Sequence, residues 1–210
     1  MPARLLLADD HVVVRQALKL LLTAAGFEVV AEASDGIQAV RLAREVQPDV
    51  AVLDVFMPLL NGVDAAREIH QGSPGTRTIL LTSRHEERVV FEALEAGVRG
   101  CVLKTFEAQD LIRAIRDVMG GGMYLSAGTS RSVVEAFRSR VPLPPDPLSQ
   151  RERQVLQLIA EGKRTREIAE LLGVSIKTAE SHRTHIQKKL GIGETAGLVR
   201  YALQRGLSQL

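Results

Sequence analysis

Val50-Ala51-Val52-Leu53-Asp54-Val55-Phe56-Met57-Pro58-Leu59-Leu60-Asn61-Gly62 is the stretch on which the reading of this chain turns. A continuous apolar run, of the length of one strand buried on both faces, ends in an acid and is followed by turn residues. Upstream, Arg4-Leu5-Leu6-Leu7-Ala8 runs into Asp9-Asp10 in the same way. Two further runs end in polar groups, Ile79-Leu80-Leu81 in Thr82 and Cys101-Val102-Leu103 in Lys104. In a parallel sheet the strand C-termini share one edge, so three carboxylates, a hydroxyl and an ammonium would meet there. Carboxylates so placed demand a cation, and Mg²⁺ held through oxygen ligands is expected. The chemistry is that of phosphoryl handling. An aspartate can form an acyl phosphate once charge repulsion is neutralised, here by a metal on Asp10 and Asp54 and by the Lys104 cation.

Helix-period segments alternate with the apolar runs. Strands are expected at about 4 to 8, 28 to 33, 50 to 54, 78 to 82 and 100 to 104. Helices are expected where Val14, Ala17, Leu18, Leu21, Leu22 and Ala25 repeat, and over about 37 to 46, 63 to 71, 86 to 96 and 108 to 119. Five such units predict a doubly wound parallel sheet of order 2-1-3-4-5, with the least continuous run at the edge. Gly120-Gly121-Gly122 closes the last helix and opens a boundary. The expected division is 1–120, a linker over 121–147 and a second domain over 148–210. The linker combines a helix from about 126 to 138 with a stiff Pro142-Leu143-Pro144-Pro145-Asp146-Pro147 spacer.

Composition narrows the class. With 210 residues, 45% hydrophobic and 25% charged, the chain can bury two modest cores. Its net charge of +2 divides unevenly: residues 1–145 carry 16 Lys+Arg against 18 Asp+Glu, and residues 146–210 carry 11 against 7. The basic C-terminal third suggests a polyanionic partner. A single cysteine, Cys101, excludes an internal disulfide framework and a Cys-rich zinc site. Apolar runs are too short to span a membrane, and Asp9-Asp10 interrupts the N-terminal stretch before a signal sequence develops, so a cytoplasmic protein is expected.

Residues 3 to 119 resemble the receiver domain of two-component response regulators, a flavodoxin-like fold. The resemblance rests on Asp9-Asp10, Asp54 with Met57-Pro58 and Asn61-Gly62, Thr82, and Ala96-Gly97 followed by Lys104. It implies Asp54 as phosphoacceptor, Asp10 as main metal ligand with Asp9 in support, the Phe56 backbone carbonyl as a further Mg²⁺ ligand, and Thr82 and Lys104 as ligands of the phosphoryl oxygens. Two departures stand out. Cys101 occupies the position of a usual switch aromatic, three residues before the lysine. Phe56 is bulky for a position bordering the route of hydrolytic water, and serves either there or as an ordinary loop residue.

In the C-terminal part Ser149-x-x-Glu152 is a capping box opening a helix that carries Val155, Leu156, Leu158 and Ile159 and ends at Glu161-Gly162. Three more helices fit, at about 165 to 172, 175 to 190 and 195 to 205. Only Gly173-Val174 separates the second and third, the length of a helix-turn-helix corner, with Ala169 small at the crossing. On the third helix Ala179, His182, Ile186 and Leu190 share one face. Lys177, Glu180, Ser181, Thr184 and Lys188 share the other, a polar and basic face suited to a major groove. The pattern Leu148-Ser149-x-Arg151-Glu152-x-x-Val155-Leu156 through His182-x-x-x-Ile186-x-x-Lys189-Leu190 resembles the LuxR-type helix-turn-helix domain. Joined to a receiver, it is similar to the NarL/FixJ subfamily.

That resemblance implies base reading by Glu180, Ser181 and Thr184, within a DNA contact set completed by Lys177, Thr178, Arg183, Lys188 and Lys189. Glu180 would meet a cytosine amino group or hold Lys177 in place. Ala196, Leu198, Val199 and Ala202 of the last helix match the family's dimer contact, and also suit plain core packing. The implied partners are a sensor histidine kinase, promoter DNA, a second copy of the chain and RNA polymerase. The expected function is a phosphorylation-dependent transcription regulator, not an enzyme. A phosphohydrolase would need a second carboxylate close behind Asp54, where Val55 and Phe56 stand. A phosphorylation-independent DNA-binding regulator, with the receiver as a dimerisation or protein-binding module, is the alternative that Cys101 keeps open.

Overall fold

The computed structural model describes residues 1–83, 87–104, 108–126 and 146–208. The chain separates into two compact units, with the division of the main chain at residues 143 and 144. The first is a parallel sheet flanked by helices: β1 (Arg4–Ala8), α1 (Val12–Ala24), β2 (Glu28–Ala33), α2 (Gly36–Val46), β3 (Val50–Asp54), α3 (Gly62–Gly72), β4 (Arg77–Thr82), α4 (Glu87–Glu95), β5 (Gly100–Leu103) and α5 (Ala108–Met119). Strand order is β2-β1-β3-β4-β5, continued by a two-residue strand β6 (Tyr124–Leu125). All adjacent pairs are parallel.

β6 carries no apolar run of its own, so the five-strand expectation misses it. Gly121, at φ +85, reverses the chain after α5. Tyr124 N–H then donates to the Arg99 carbonyl and Ser126 N–H to the Cys101 carbonyl. The sheet therefore continues past the expected boundary at 120. Apart from Ser126, the connecting helix expected over 126 to 138 lies outside the described residues.

Alternation along the strands divides the core in two. Leu5, Leu7, Val50, Val52, Ile79, Leu81 and Val102 pack with Leu22 of α1 and Leu111, Ala114, Ile115 and Val118 of α5. Leu6, Ala51, Leu53, Leu80 and Cys101 are buried at the alternate positions. Central strands buried on both faces explain why β1, β3 and β4 read as continuous apolar runs; β2, at the edge, is half-exposed along much of its length.

The second unit contains α6 (Gln150–Ala160), α7 (Thr165–Leu171), α8 (Ile176–Leu190) and α9 (Thr195–Gln204). Ser149 caps α6 as expected: its hydroxyl accepts from Glu152 N–H while the Glu152 carboxylate accepts from Ser149 N–H at 2.7 Å. That carboxylate also accepts from Lys189 Nζ at 2.6 Å. It thus ties the start of α6 to the end of α8. The core joins Leu148, Val155, Leu156, Leu158, Ile159, Ile168, Ala169, Ala179, Ile186, Leu198, Ala202 and Leu207.

Burial alone would push the Glu152 carboxyl up, but the Lys189 ammonium and the Ser149 donors outweigh it and lower it from 4.5 to about 2. A depressed folded-state value contributes stability above the unfolded value, and that contribution is lost as pH falls through the folded one. In urea unfolding, Glu152→Gln is expected to be less stable than the parent at neutral pH, with the gap closing between pH 4.5 and about 2. A gap that stays constant across that window would show that Glu152 is not held as described.

Candidate phosphoryl site and nucleic-acid interface

The acids expected at the sheet edge do meet. Asp9 and Asp54 are buried, at 1% and 4% exposure, and Asp10 is exposed beside them. Lys104 Nζ lies 2.8 Å from Asp9 Oδ2 and 3.0 Å from Asp54 Oδ2, bridging the ends of β1 and β3 from the end of β5. Thr82 is buried at the end of β4, where its carbonyl accepts from Lys104 N–H at 2.7 Å. Burial pushes the Asp54 carboxyl up to about 6; the Lys104 cation pulls it down, and Asp9 and Asp10 add to the rise. Burial also works against the Lys104 cation, yet Asp54 and Asp9 leave it held more tightly protonated than a free lysine. One ammonium does not balance three carboxylates. The donor set of hard oxygens at one edge fits a divalent ion such as Mg²⁺.

Three residues that the apolar runs do not flag shape this edge. His11 donates its N–H to Asp9 Oδ1 at 2.9 Å and places its ring against Asp10. Arg15, one turn into α1, donates from Nη1 to the Asp9 carbonyl at 2.6 Å, and its Nε lies 3.5 Å from Glu32 of β2. The spacing Asp9-x-His11-x-x-x-Arg15 was the available signal, since four residues of helix bring Arg15 back over the loop. Gly62 donates to the Val55 carbonyl at 2.8 Å. A β-carbon there would stand 2.1 Å from the Asp54 carbonyl oxygen. The Asn61-Gly62 pair thus closes the β3–α3 loop against the backbone of Asp54, with Asn61 capping α3 through Asp64 N–H. Phe56 is half-buried in that loop.

In the second unit α7 and α8 meet through a tight corner. Gly173 takes φ +62, Val174 N–H donates to the Ala169 carbonyl at 3.0 Å, and Arg151 Nη2 donates to the Leu172 carbonyl at 2.6 Å. Ala169 and Ala179 are buried. Ser175 caps α8 by accepting from Thr178 N–H at 3.0 Å, with the two hydroxyls 2.8 Å apart. Lys177, Thr178, Glu180, Ser181, Thr184 and Lys188 are exposed, whereas His182 is half-buried on the inner side. Arg183 is half-buried too, and its Nη2 donates to Thr195 Oγ1. Lys189 differs from Lys188: its ammonium is engaged by Glu152.

Matches to known families follow the two units. Residues 5–116 match the response regulator receiver domain, and residues 146–202 match the luxR family of bacterial regulatory proteins. The chain belongs to the LuxR-type response regulators. It is similar to the transcriptional regulatory protein MctR of Rhizobium johnstonii, with 37% identity over 97% of this chain and 94% of that one. It is also similar to the oxygen regulatory protein NreC of Staphylococcus aureus, with 38% identity over 97% and 98%. Among solved structures it is similar to RcsB of Salmonella typhimurium, with 27% identity, TM-score 0.67, and coverage of 97% and 98%. RcsB in complex with DNA matches with TM-score 0.61, and RcsB as two dimers on two parallel DNAs with TM-score 0.60. The protein is thus a two-component response regulator with a DNA-binding domain, and its family acts in transcription regulation.

Against that background one expectation needs correction, that of the dimer contact. Leu198 and Ala202, expected at the dimer contact, are fully buried in the core of their own unit and leave no surface for a second chain. Ala196 is exposed and Val199 half-buried, so only these two of the four reach the surface of α9. Cys101 is buried on β5 between Leu80 of β4 and Leu125 of β6, and burial pushes its thiol up to about 12. It is an inert packing group there. No described helix is long and apolar enough to cross a membrane.

Gly62→Ala is expected to force the loop off the Asp54 carbonyl, at a cost on the order of 1–3 kcal/mol. The helix would still form, since alanine is a better helix former than glycine. Phosphodonor uptake measured by intact mass should therefore slow while helical circular dichroism is retained. Parental uptake rates in the variant would show that the close approach does not matter.

Proposed function

We propose that the chain accepts a phosphoryl group on Asp54 from a sensor histidine kinase and, in that state, binds promoter DNA as a dimer to regulate transcription. The observation that supports this most is the Lys104 ammonium bridging the carboxylates of Asp9 and Asp54 at one sheet edge, beside buried Thr82. An Asp54 oxygen attacks the phosphorus of the phosphohistidine, the P–N bond breaks, and its electron pair leaves with the imidazole. Lys104 turns from the carboxylate to the incoming phosphoryl oxygens, and the Thr82 hydroxyl donates to another. Asp9, Asp10, Asp54 and the Phe56 carbonyl would hold a divalent ion, which when bound would supply charge neutralisation. In the second unit Glu180, Ser181 and Thr184 read base edges, while Lys177, Thr178 and Lys188 serve phosphates. Ala196 and Val199 supply the α9 part of the dimer contact. RNA polymerase is the downstream partner, in the cytoplasm.

Intact mass after treatment with a small phosphodonor tests the acceptor. The parent should gain one phosphoryl group only when Mg²⁺ is present, and Asp54→Asn should gain none. Equal uptake by Asp54→Asn, or uptake unaffected by chelator, would reject the assignment.

The interface is tested on a randomised duplex library at several salt concentrations. Thr184→Ala should relax preference at particular positions, at a cost of about 1–3 kcal/mol for the favoured base. Lys188→Ala should weaken all sequences alike and lower the salt slope by about one unit. Unchanged preference together with an unchanged slope would mean that α8 does not enter the groove.

A further inference from the structure

The β1–α1 loop carries more than carboxylates. His11 stands at the N-cap of α1 with extended backbone angles, φ −82 and ψ 108, and its side chain makes no capping hydrogen bond. The ring instead turns back over the acids: Nδ1 lies 2.8 Å from Asp10 Oδ1 and 3.5 Å from Asp9 Oδ1. Two anchors put it there. Its own N–H is held by Asp9 Oδ1, and the Asp9 carbonyl is held by Arg15. One ligand atom from each of Asp9, Asp10, His11 and Asp54 lies within 4.8 Å of every other. Ligands on one octahedral ion with bonds of about 2.1 Å stand roughly 3 to 4.2 Å apart, so four atoms this close need only small rotations to share an ion.

We infer that His11 is a ligand of the divalent cation in this pocket, its Nδ1 turning the site from an all-oxygen set into a mixed oxygen and nitrogen set. The inference rests on the reading above that the pocket binds such an ion. At 2.8 Å the Nδ1–Asp10 contact is a hydrogen bond donated by Nδ1; a bound ion would take the place of that proton, which is released to solvent, while Nε2 carries the ring's remaining proton. Imidazole adds little for Mg²⁺, which favours oxygen and retains water, but strengthens binding along the series from Mn²⁺ through Co²⁺ to Ni²⁺. The site should therefore prefer Mn²⁺ over Mg²⁺ by more than its carboxylates alone would give. Because His11 is 69% exposed, its removal leaves the core untouched.

The test uses the full chain with Mn²⁺ and Mg²⁺ as probes. Titration calorimetry gives both affinities, and electron spin echo modulation of bound Mn²⁺ detects a coordinated ¹⁴N. The parent should show imidazole ¹⁴N modulation. His11→Ala should lose it and weaken Mn²⁺ binding by about tenfold or more, with a smaller change for Mg²⁺. Bound Mn²⁺ without ¹⁴N modulation in the parent, or an unchanged ratio of the two affinities in His11→Ala, overturns the role of His11 alone. Failure of both ions to bind, or an affinity left unchanged by Asp10→Asn, overturns the cation reading itself and the role of His11 with it.

Discussion

Repulsion among carboxylates at one sheet edge is the constraint on which the first unit is organised. Three aspartates brought together by the parallel register cannot all stay ionised in a partly buried site without compensating charge. Lys104 supplies one positive charge from the end of β5. Its reach depends on β4 and β5 being in register at Thr82 and Leu103. The pocket is thus a product of sheet pairing as much as of its own side chains. On the proposed function a bound cation would reduce the repulsion and so let an anionic phosphoryl group approach the edge where Lys104 stands.

Most of this was legible in the sequence for a physical reason. Strands buried on both faces appear as unbroken apolar runs, so β1 and β3 have the expected bounds and β4 differs by one residue at its start. The acids and Lys104 follow such runs directly, which located the pocket. β6 was not legible, because two residues held by main-chain hydrogen bonds leave no periodic signature. His11 and Arg15 were missed as well, and Gly62 was read only as part of the Asn61-Gly62 motif. Their roles depend on backbone carbonyls and on a close approach, which residue type alone does not reveal.

The second unit shows the converse limit. Helical projection separated the inner and outer faces of α8 correctly, from buried Ala179 and Ile186 to exposed Glu180 and Thr184. Projection does not say where a long side chain ends, so Lys188 and Lys189 looked alike until Glu152 claimed one of them. On α9, four apolar residues were candidates both for the core and for a second chain. Burial assigned Leu198 and Ala202 to the core. The Glu152 carboxylate is the counterpart in this unit of Lys104 in the other: a buried charge satisfied by three donors that fixes the ends of two helices together.

On the proposed function, phosphate on Asp54 and DNA on α8 are energetically coupled. Coupling is reciprocal, and a typical value of 1–3 kcal/mol corresponds to roughly 5- to 150-fold in affinity. The direct measurement is the affinity of one duplex, selected from a random library, for the phosphorylated and unphosphorylated chain at equal Mg²⁺ and salt. Tighter binding by the phosphorylated chain, within that range, is the expected result. Equal affinities would contradict it, and would leave a DNA-binding protein whose receiver acts only as a protein-binding module.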